Sequence, residues 1–291
     1  MSYTAIAAML EAAKAAGQPL YAVICADDCA ENGYTPAHSR ERMAALWAAM
    51  QQSSQQYRAD DRSVSGLSGG DADRLRQAAQ AGRLLGGSYL LRVTEEALKI
   101  AECNACMKRI VAAPTAGSCG VLPAVLLPLA EDGSVEEETI LQALYIAAGF
   151  GQVTAARANV SGAEGGCQAE IGTASAMAAA ALTHVLGGSA TQCAHAFALA
   201  MSNLLGLVCD PVAGLVELPC VRRNVIGAVG AVSAANMALA GIESRIPPDE
   251  VIDAMGEIGD ALPAGLRETG LGGLAATPTA RKLAEDIGKG Q

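Results

Sequence analysis

The sequence predicts an all-α fold, a multi-helix bundle in which Ala-rich central helices are buried. Alanine-rich runs place apolar residues three and four positions apart along most of the 291 residues, which is the spacing of one helix face. Alternating runs of Val, Ile, Thr and aromatic residues, which are typical of strands, are nearly absent. Hydrophobic residues make up 51% of the chain, enough apolar material for a large core.

Ten helices follow from this periodicity. Asp71 and Ser189 are suitable N-caps, because their side-chain oxygens can accept hydrogen bonds from the free amides of a first helical turn. Pro248, followed by two acidic residues, suits the first turn of the last helix. The short segment 19–24 is compatible with extended backbone but predicts no sheet. The helices are predicted over residues 4–16, 36–56, 71–82, 88–110, 121–131, 135–149, 168–186, 190–205, 221–241 and 248–259.

The chain is predicted to form a single helical domain, residues 1–291, with three parts. Residues 1–56 form N-terminal helices, and residues 71–291 form the main body. Between them, residues 57–70 are polar and end in Ser-Gly-Leu-Ser-Gly-Gly. A stretch of this composition acts as a loop or as a hinge.

Charge and hydropathy exclude two classes of partner. The net charge of -10 repels nucleic acid and anionic lipid. Residues 171–209 and 224–242 contain no Asp, Glu, Lys or Arg, which raises the question of membrane spans. The first stretch, however, is interrupted by Gly-Gly-Ser and is apolar mainly through alanine. We therefore expect buried helices of a soluble protein and no membrane association.

The N-terminus and the cysteine count indicate a cytoplasmic protein. No basic residues precede the first apolar stretch, so no secretory signal is expected. Nine cysteines is an odd number, and in a large intracellular chain it argues against a disulfide framework. Some of the cysteines are expected to serve metal binding or redox chemistry.

Three cysteines lie in loops rich in glycine and proline, each beside a charge-free segment. Cys167 and Cys220 begin predicted helices, and Cys209 precedes an Asp-Pro pair. At a helix N-terminus the dipole is expected to lower the pKa of a thiol, which favours metal binding. The separations of 42 and 11 residues do not match a zinc ribbon but are compatible with an iron-sulfur cluster held by three loops. Buried structural cysteines remain the alternative at this point.

A loop of small residues over 113–123, the hydroxyl loop, is a second candidate site. It carries Thr115 and Ser118 before a predicted helix, an arrangement suited to binding a carboxylate or phosphate. A simple helix-breaking turn is the alternative. Cys103 and Cys106 form a C-x-x-C motif, but no strand precedes it, so packing on one helical face is the preferred interpretation.

Four segments closely resemble the iron-sulfur-dependent L-serine dehydratases, specifically the α chain of the two-subunit bacterial type. The likeness runs from about Gly66 to Lys282. The segments are PTAGS at 114–118, GAEGGCQAE at 162–170, GLVCDPVAGLVELPC at 206–220 and LRETGLGGLAATP at 266–278.

The resemblance implies an oxygen-sensitive 4Fe-4S cluster held by Cys167, Cys209 and Cys220 in the body 71–291. It implies that the fourth iron has no protein thiolate and is open to substrate, as in other catalytic metal sites. The implied reaction is α,β-elimination of water from L-serine, which yields aminoacrylate and then pyruvate and ammonia. Such a lyase belongs to amino-acid catabolism and gluconeogenesis.

The resemblance also suggests roles for residues around the cluster. Thr115, Gly117 and Ser118 are expected to hold the substrate carboxylate, and Arg222 to offset the negative charge of the cluster. Four further residues are candidates for supporting the groups that contact the cluster and the substrate: Asn159, Glu164, Gln168 and Asp210. Each of them could instead serve only as a helix cap or as a hydrogen-bonding residue of a loop.

A partner is expected because one family segment is missing. In the family, a Ser-Ser-Ser-His-Thr segment near the substrate belongs to the other subunit or domain, and this chain has none. The resemblance therefore implies a hetero-oligomer with a β chain, and a homodimer is the form expected for the chain alone. Without its partner, the chain is expected to carry the cluster yet to lack activity.

Two other functional classes stay open. A pyridoxal-phosphate eliminase needs a Schiff-base lysine, and of the five lysines only Lys108 lies near a small-residue loop. The other class is a non-enzymatic helical subunit whose oxidisable thiols report oxygen.

Overall fold

The computed structural model describes residues 2–289, and the regular structure within them is helical, which confirms the predicted fold class. No strand occurs in this range; the one extended pairing is a bridge between Cys209 and Arg267. The helices are α1 Ile6–Ala16, α2 Leu20–Asn32, α3 Pro36–Gln55, α4 Asp71–Gln80, α5 Gly87–Ala105, α6 Val121–Glu131, α7 Glu137–Arg157, α8 Gly162–Gly165, α9 Thr173–Val185, α10 Ala190–Ser202, α11 Cys220–Leu239, α12 Pro248–Ala261 and α13 Pro278–Lys289.

Helix α9 is the centre of the core. Its residues 173–183 are all buried, and it packs against α7, α10 and α11. Alanine dominates this helix, so neighbouring backbones approach closely, and aromatic rings fill the remaining space. Phe150 and Phe197 pack edge to face with ring centroids 5.5 Å apart. The charge-free sequence is thus explained by burial on all sides.

Two predicted boundaries are wrong because tertiary contacts override local signals. Residues 20–24 belong to α2, whose Ile24 packs on α7, and only Pro19, the residue before this helix, has an extended backbone. Helix α7 continues to Arg157 instead of ending at 149. Gly149 and Gly151 are tolerated inside it because the side chains of Ile24 and Met177 occupy the space that β-carbons would need.

Other differences concern helix ends. Helix α5 ends at Ala105, five residues earlier than predicted, where the chain turns through Met107 at a φ of 58°. A short helix α8 and a five-residue π-helical turn, Gln168–Gly172, precede α9. Helix α13 was not predicted; its 12 residues carry a strongly polar face, and only Ala280 among them is buried.

The predicted caps are correct in one case and wrong in another. The hydroxyl of Ser189 accepts a hydrogen bond from the Gln192 amide at 3.2 Å. Asp71 is the first residue of α4 rather than its cap. Its amide donates instead to the buried carboxylate of Glu102, 2.7 Å away. The acidic first turn of α12 is as predicted, and its Asp249 also accepts from two amides at the start of α1.

One helix among residues 2–289 is long and apolar enough to cross a membrane, namely α7 with 21 residues. In the most apolar 18-residue stretch of α7, 67% of the residues are buried inside the fold, as in a core helix. The charge-free stretch 171–209 forms the helices α9 and α10, which have 13 residues each and are too short for a span.

Candidate functional site

The three candidate cysteines lie at one end of the core, on loops that precede α9 and α11. Cys167 precedes the π-helical turn, and Cys220 is the first residue of α11. Cys209 is held by backbone hydrogen bonds to residues 266 and 268, with N···O distances of 2.9 and 2.7 Å. All three are buried, and charge repulsion from Cys167 raises the pKa of both Cys209 and Cys220. We call this group the three-cysteine site.

The expected lowering of the thiol pKa values is wrong for the metal-free chain. Burial raises the pKa of Cys167 and of Cys220 to about 12, and it raises the pKa of Cys209 as well. The nearby Arg223 guanidinium acts in the opposite direction on Cys167 and Cys220 but does not compensate. Desolvation therefore outweighs the helix dipole, and metal binding here must release the thiol protons.

The site does not have the layout of a single-ion centre. Across residues 2–289, no three His, Cys, Asp or Glu side chains are grouped so as to hold one metal ion. A polynuclear cluster needs a different arrangement of ligands, because each thiolate binds a different iron and the thiolates surround the whole cluster. Buried thiols on three separate loops are compatible with that arrangement. All nine cysteines are free thiols.

Arg223, and not Arg222, faces the cysteines. Its guanidinium donates to the Val208 carbonyl at 2.8 Å and to Asp210 at 2.7 Å, and it interacts with the thiol of Cys167. Arg222 points outward and pairs with Asp71 at 3.0 Å, so the expectation for Arg222 is wrong. The sequence signal was present, because Arg223 lies three positions after a cysteine and hence on the same helix face.

Asp210 joins three segments of the site. One carboxylate oxygen accepts from Arg223, and the other accepts from the Leu274 amide at 2.7 Å. A β-carbon at Gly273 would lie 2.3 Å from Asp210, and the φ of this glycine is +57°. Both oxygens of Asp210 are therefore already occupied in positioning loops.

The hydroxyl loop is fixed against α11. The hydroxyls of Thr115 and Ser118 lie 3.2 Å apart. Asn224, which the sequence analysis did not single out, donates to the Gly117 carbonyl at 2.8 Å and accepts from the Gly120 amide at 2.9 Å. Its position four residues after Cys220 places it on the same face of α11. The loop is thereby attached to the helix that begins with a cysteine.

Gln168 is a buried connector. Its side-chain amide donates to the carbonyls of Gly165 and Met255 at 2.9 and 3.0 Å, and its oxygen accepts from the Gly206 amide at 2.8 Å. These bonds hold the loop before Cys209 against α8 and α12. Both N–H groups of the side-chain amide are thus used within the protein.

Asn159 and Glu164 lie away from the three-cysteine site and the hydroxyl loop. They hydrogen-bond to each other, and Asn159 also accepts from the Ser161 amide at 2.7 Å. Both line a cavity of about 330 Å³ together with acidic residues of α12. Neither the three cysteines nor the hydroxyl loop lines this cavity.

Glu170 is a further residue of the site that sequence reasoning missed. It lies in the π-helical turn, a feature often found at functional sites. Burial raises the pKa of its carboxyl, whereas the Thr115 hydroxyl and the Gly162 amide lower it. A β-carbon added at Gly162 would lie 2.6 Å from a Glu170 oxygen and 2.9 Å from the Cys209 sulfur. Glu170 thus stands between the hydroxyl loop and a cysteine.

We expect Arg223→Gln to destabilise the chain by about 3–5 kcal/mol, because it leaves the buried carboxylate of Asp210 without its partner. Arg222→Gln is the matched control. It removes an exposed ion pair, and such pairs contribute about 1 kcal/mol or less. The free energy of unfolding of each metal-free variant, measured in urea, checks this prediction. Equal losses in the two variants would contradict it.

The chain is similar to known proteins over most of its length. A family model described as serine dehydratase alpha chain matches residues 4–275. A probable L-serine dehydratase, alpha chain, of Bacillus subtilis is 53% identical over 225 residues, 77% of this chain and 75% of the relative. The L-serine dehydratase, alpha chain, of Peptoniphilus asaccharolyticus is 48% identical over 218 residues, 75% of each. L-serine dehydratase 2 of Escherichia coli is 46% identical over 181 residues, which are 62% of this chain but 40% of that protein.

Proposed function

The chain belongs to the serine dehydratase alpha chain family, and on that premise we propose that it is the α chain of an L-serine dehydratase. The proposed reaction is elimination of water from L-serine, which yields pyruvate and ammonia. The observation that carries the proposal is the three-cysteine site beside the hydroxyl loop, in a chain of this family.

We propose that the three-cysteine site holds a 4Fe-4S cluster. The donor set supports it, because three buried thiols suit iron-sulfur chemistry and Arg223 offsets part of their negative charge. Gly162 also supports it, since any side chain there would press on the Cys209 sulfur. When bound, the cluster would supply a Lewis acid that helps hydroxide to leave.

The hydroxyl loop is suited to the substrate carboxylate. Thr115 and Ser118 offer hydroxyl donors, and a loop of small residues exposes backbone amides to an anion. Asn224 keeps this loop attached to α11, so the donors need little reorganisation when substrate binds. The burial of Ser118 and the cysteines excludes water from the reacting groups.

We propose that a β chain completes the enzyme. Relatives of similar length are named alpha chains, and the Escherichia coli relative is longer than the segment it shares with this chain. This chain also lacks the Ser-Ser-Ser-His-Thr segment. We also propose a cytoplasmic location, because an odd number of cysteines, nine, argues against a disulfide framework.

The experiment is anaerobic co-expression with the β chain, followed by iron and sulfide analysis and a pyruvate assay with L-serine. We expect a broad brown absorption, about four irons per α chain and pyruvate formation. A sharp absorption band lost on borohydride treatment would instead indicate pyridoxal phosphate. Lys108 argues against that outcome, because its ammonium is already held by Asp61 and by the Gln56 carbonyl. Thiol oxidation without pyruvate would indicate a redox-sensing subunit.

A further inference from the structure

We propose that Glu170 binds the α-ammonium group of the substrate and thereby selects amino acids over hydroxy acids. The inference rests on the proposed function, which supplies an amino acid as the ligand. It assigns a role to the half-buried acidic side chain that stands between the two parts of the site.

Glu170 lies where it can contact the substituents on the Cα atom of a small bound amino acid. On one side, a β-carbon at Gly117 of the hydroxyl loop would lie 3.4 Å from a carboxylate oxygen of Glu170. On the other side, a β-carbon at Gly162 would contact both Glu170 and the Cys209 sulfur. A serine whose carboxylate is on the hydroxyl loop and whose hydroxyl points to the cysteines therefore has its Cα substituents beside Glu170.

The charge around Glu170 favours a cation. Among residues 2–289, no lysine or arginine forms an ion pair with Glu170. Its charged neighbour is Glu268, another acid, and the thiol of Cys209 feels both carboxylates. A carboxylate that is partly removed from water and has no cationic partner is costly. An ammonium group supplies the missing positive charge.

Asp210, the buried acid beside the cysteines, already has two partners. It accepts from Arg223 and from the Leu274 amide, and Glu164, which lies farther from the cysteines, accepts from the Asn159 side chain. Glu170 has weaker support, from the Thr115 hydroxyl and the Gly162 amide. The π-helical turn directs this side chain toward both glycines. Glu170 thus has capacity left for a ligand, and it lies between the hydroxyl loop and Cys209.

The test compares L-serine with glycerate, which carries a hydroxyl in place of the ammonium group. Initial rates of the anaerobic complex with the β chain give KM and kcat for L-serine and the inhibition constant of glycerate, because an active complex would consume L-serine during dialysis. Equilibrium dialysis gives both affinities for a complex that forms no pyruvate. Glu170→Gln is expected to weaken serine binding on the order of 100-fold and to change glycerate binding less than about threefold. Glu257→Gln, an exposed carboxyl on α12, is the control and is expected to change neither.

Three outcomes would overturn the inference. One is an equal loss of serine and glycerate affinity in Glu170→Gln at normal iron content. Another is a fall in kcat with unchanged serine affinity, which would indicate proton transfer instead. The third is a wild-type complex that binds serine and glycerate equally, and this result is decisive even if the variant fails to fold. A complex that binds serine but forms no pyruvate would contradict the proposed function, while the affinity ratio still decides the role of Glu170.

Discussion

Cys209→Ala is expected to abolish both iron binding and pyruvate formation in the complex, whereas Cys193→Ala leaves both intact. The two cysteines are buried to a similar degree. Cys209 lies on a loop within reach of two other thiols and two carboxylates. Cys193 lies inside α10 in the apolar core, where its pKa is raised by burial and no charged group acts on it. Only the first cysteine is therefore expected to bind iron.

The measurement is iron and sulfide per α chain after anaerobic purification, with the visible absorption and the rate of pyruvate formation. We expect the rate of Cys209→Ala to fall at least about 100-fold, because losing one ligand removes the Lewis acid. Cys193→Ala costs about 1–2 kcal/mol of stability through a small cavity but keeps its iron. Retained iron and retained activity in Cys209→Ala would reject the assignment of this residue as a ligand.

The helical core was predictable because its signal is local. Alanine-rich periodicity correctly identified α9 and α10, and Ser189 was correctly predicted as the N-cap of α10. The segment 19–24 was misjudged because its conformation depends on α7, over 100 residues away. Gly149 of α7 leaves room for the Ile24 side chain. This contact stabilises a helix in residues whose sequence resembles that of a strand.

The candidate site was only partly predictable. The loops around the cysteines carry their own signature of glycine and proline, so they were found. Glu170 was not, because its proximity to Gly117 and Gly162 comes from tertiary structure and a π-helical turn. The thiol pKa values were misjudged for a similar reason. Helix position is visible in the sequence, but the burial that outweighs it is not.

Gly162→Ala is expected to disable the site while the fold persists. The new β-carbon would lie 2.6 Å from a Glu170 oxygen and 2.9 Å from the Cys209 sulfur, closer than carbon contacts allow. Both groups end flexible side chains, so they are expected to move rather than the backbone. The cost in the free energy of unfolding is then about 1–3 kcal/mol, but a thiol and a carboxylate of the site are displaced together. Iron content and serine affinity should both fall.

Gly288→Ala is the matched control, because no atom lies within 4 Å of the position of its β-carbon in α13. Alanine is the better helix former there, so stability should stay the same or rise by about 0.5–1 kcal/mol. Urea unfolding of the metal-free chains, together with iron content and KM of the anaerobic complexes, separates the two effects. If Gly162→Ala kept normal iron content and a normal KM, the close approach of Glu170 and Cys209 at this glycine would have no functional role. A change confined to iron content and KM would instead show that Gly162 is required by the site and not by the fold.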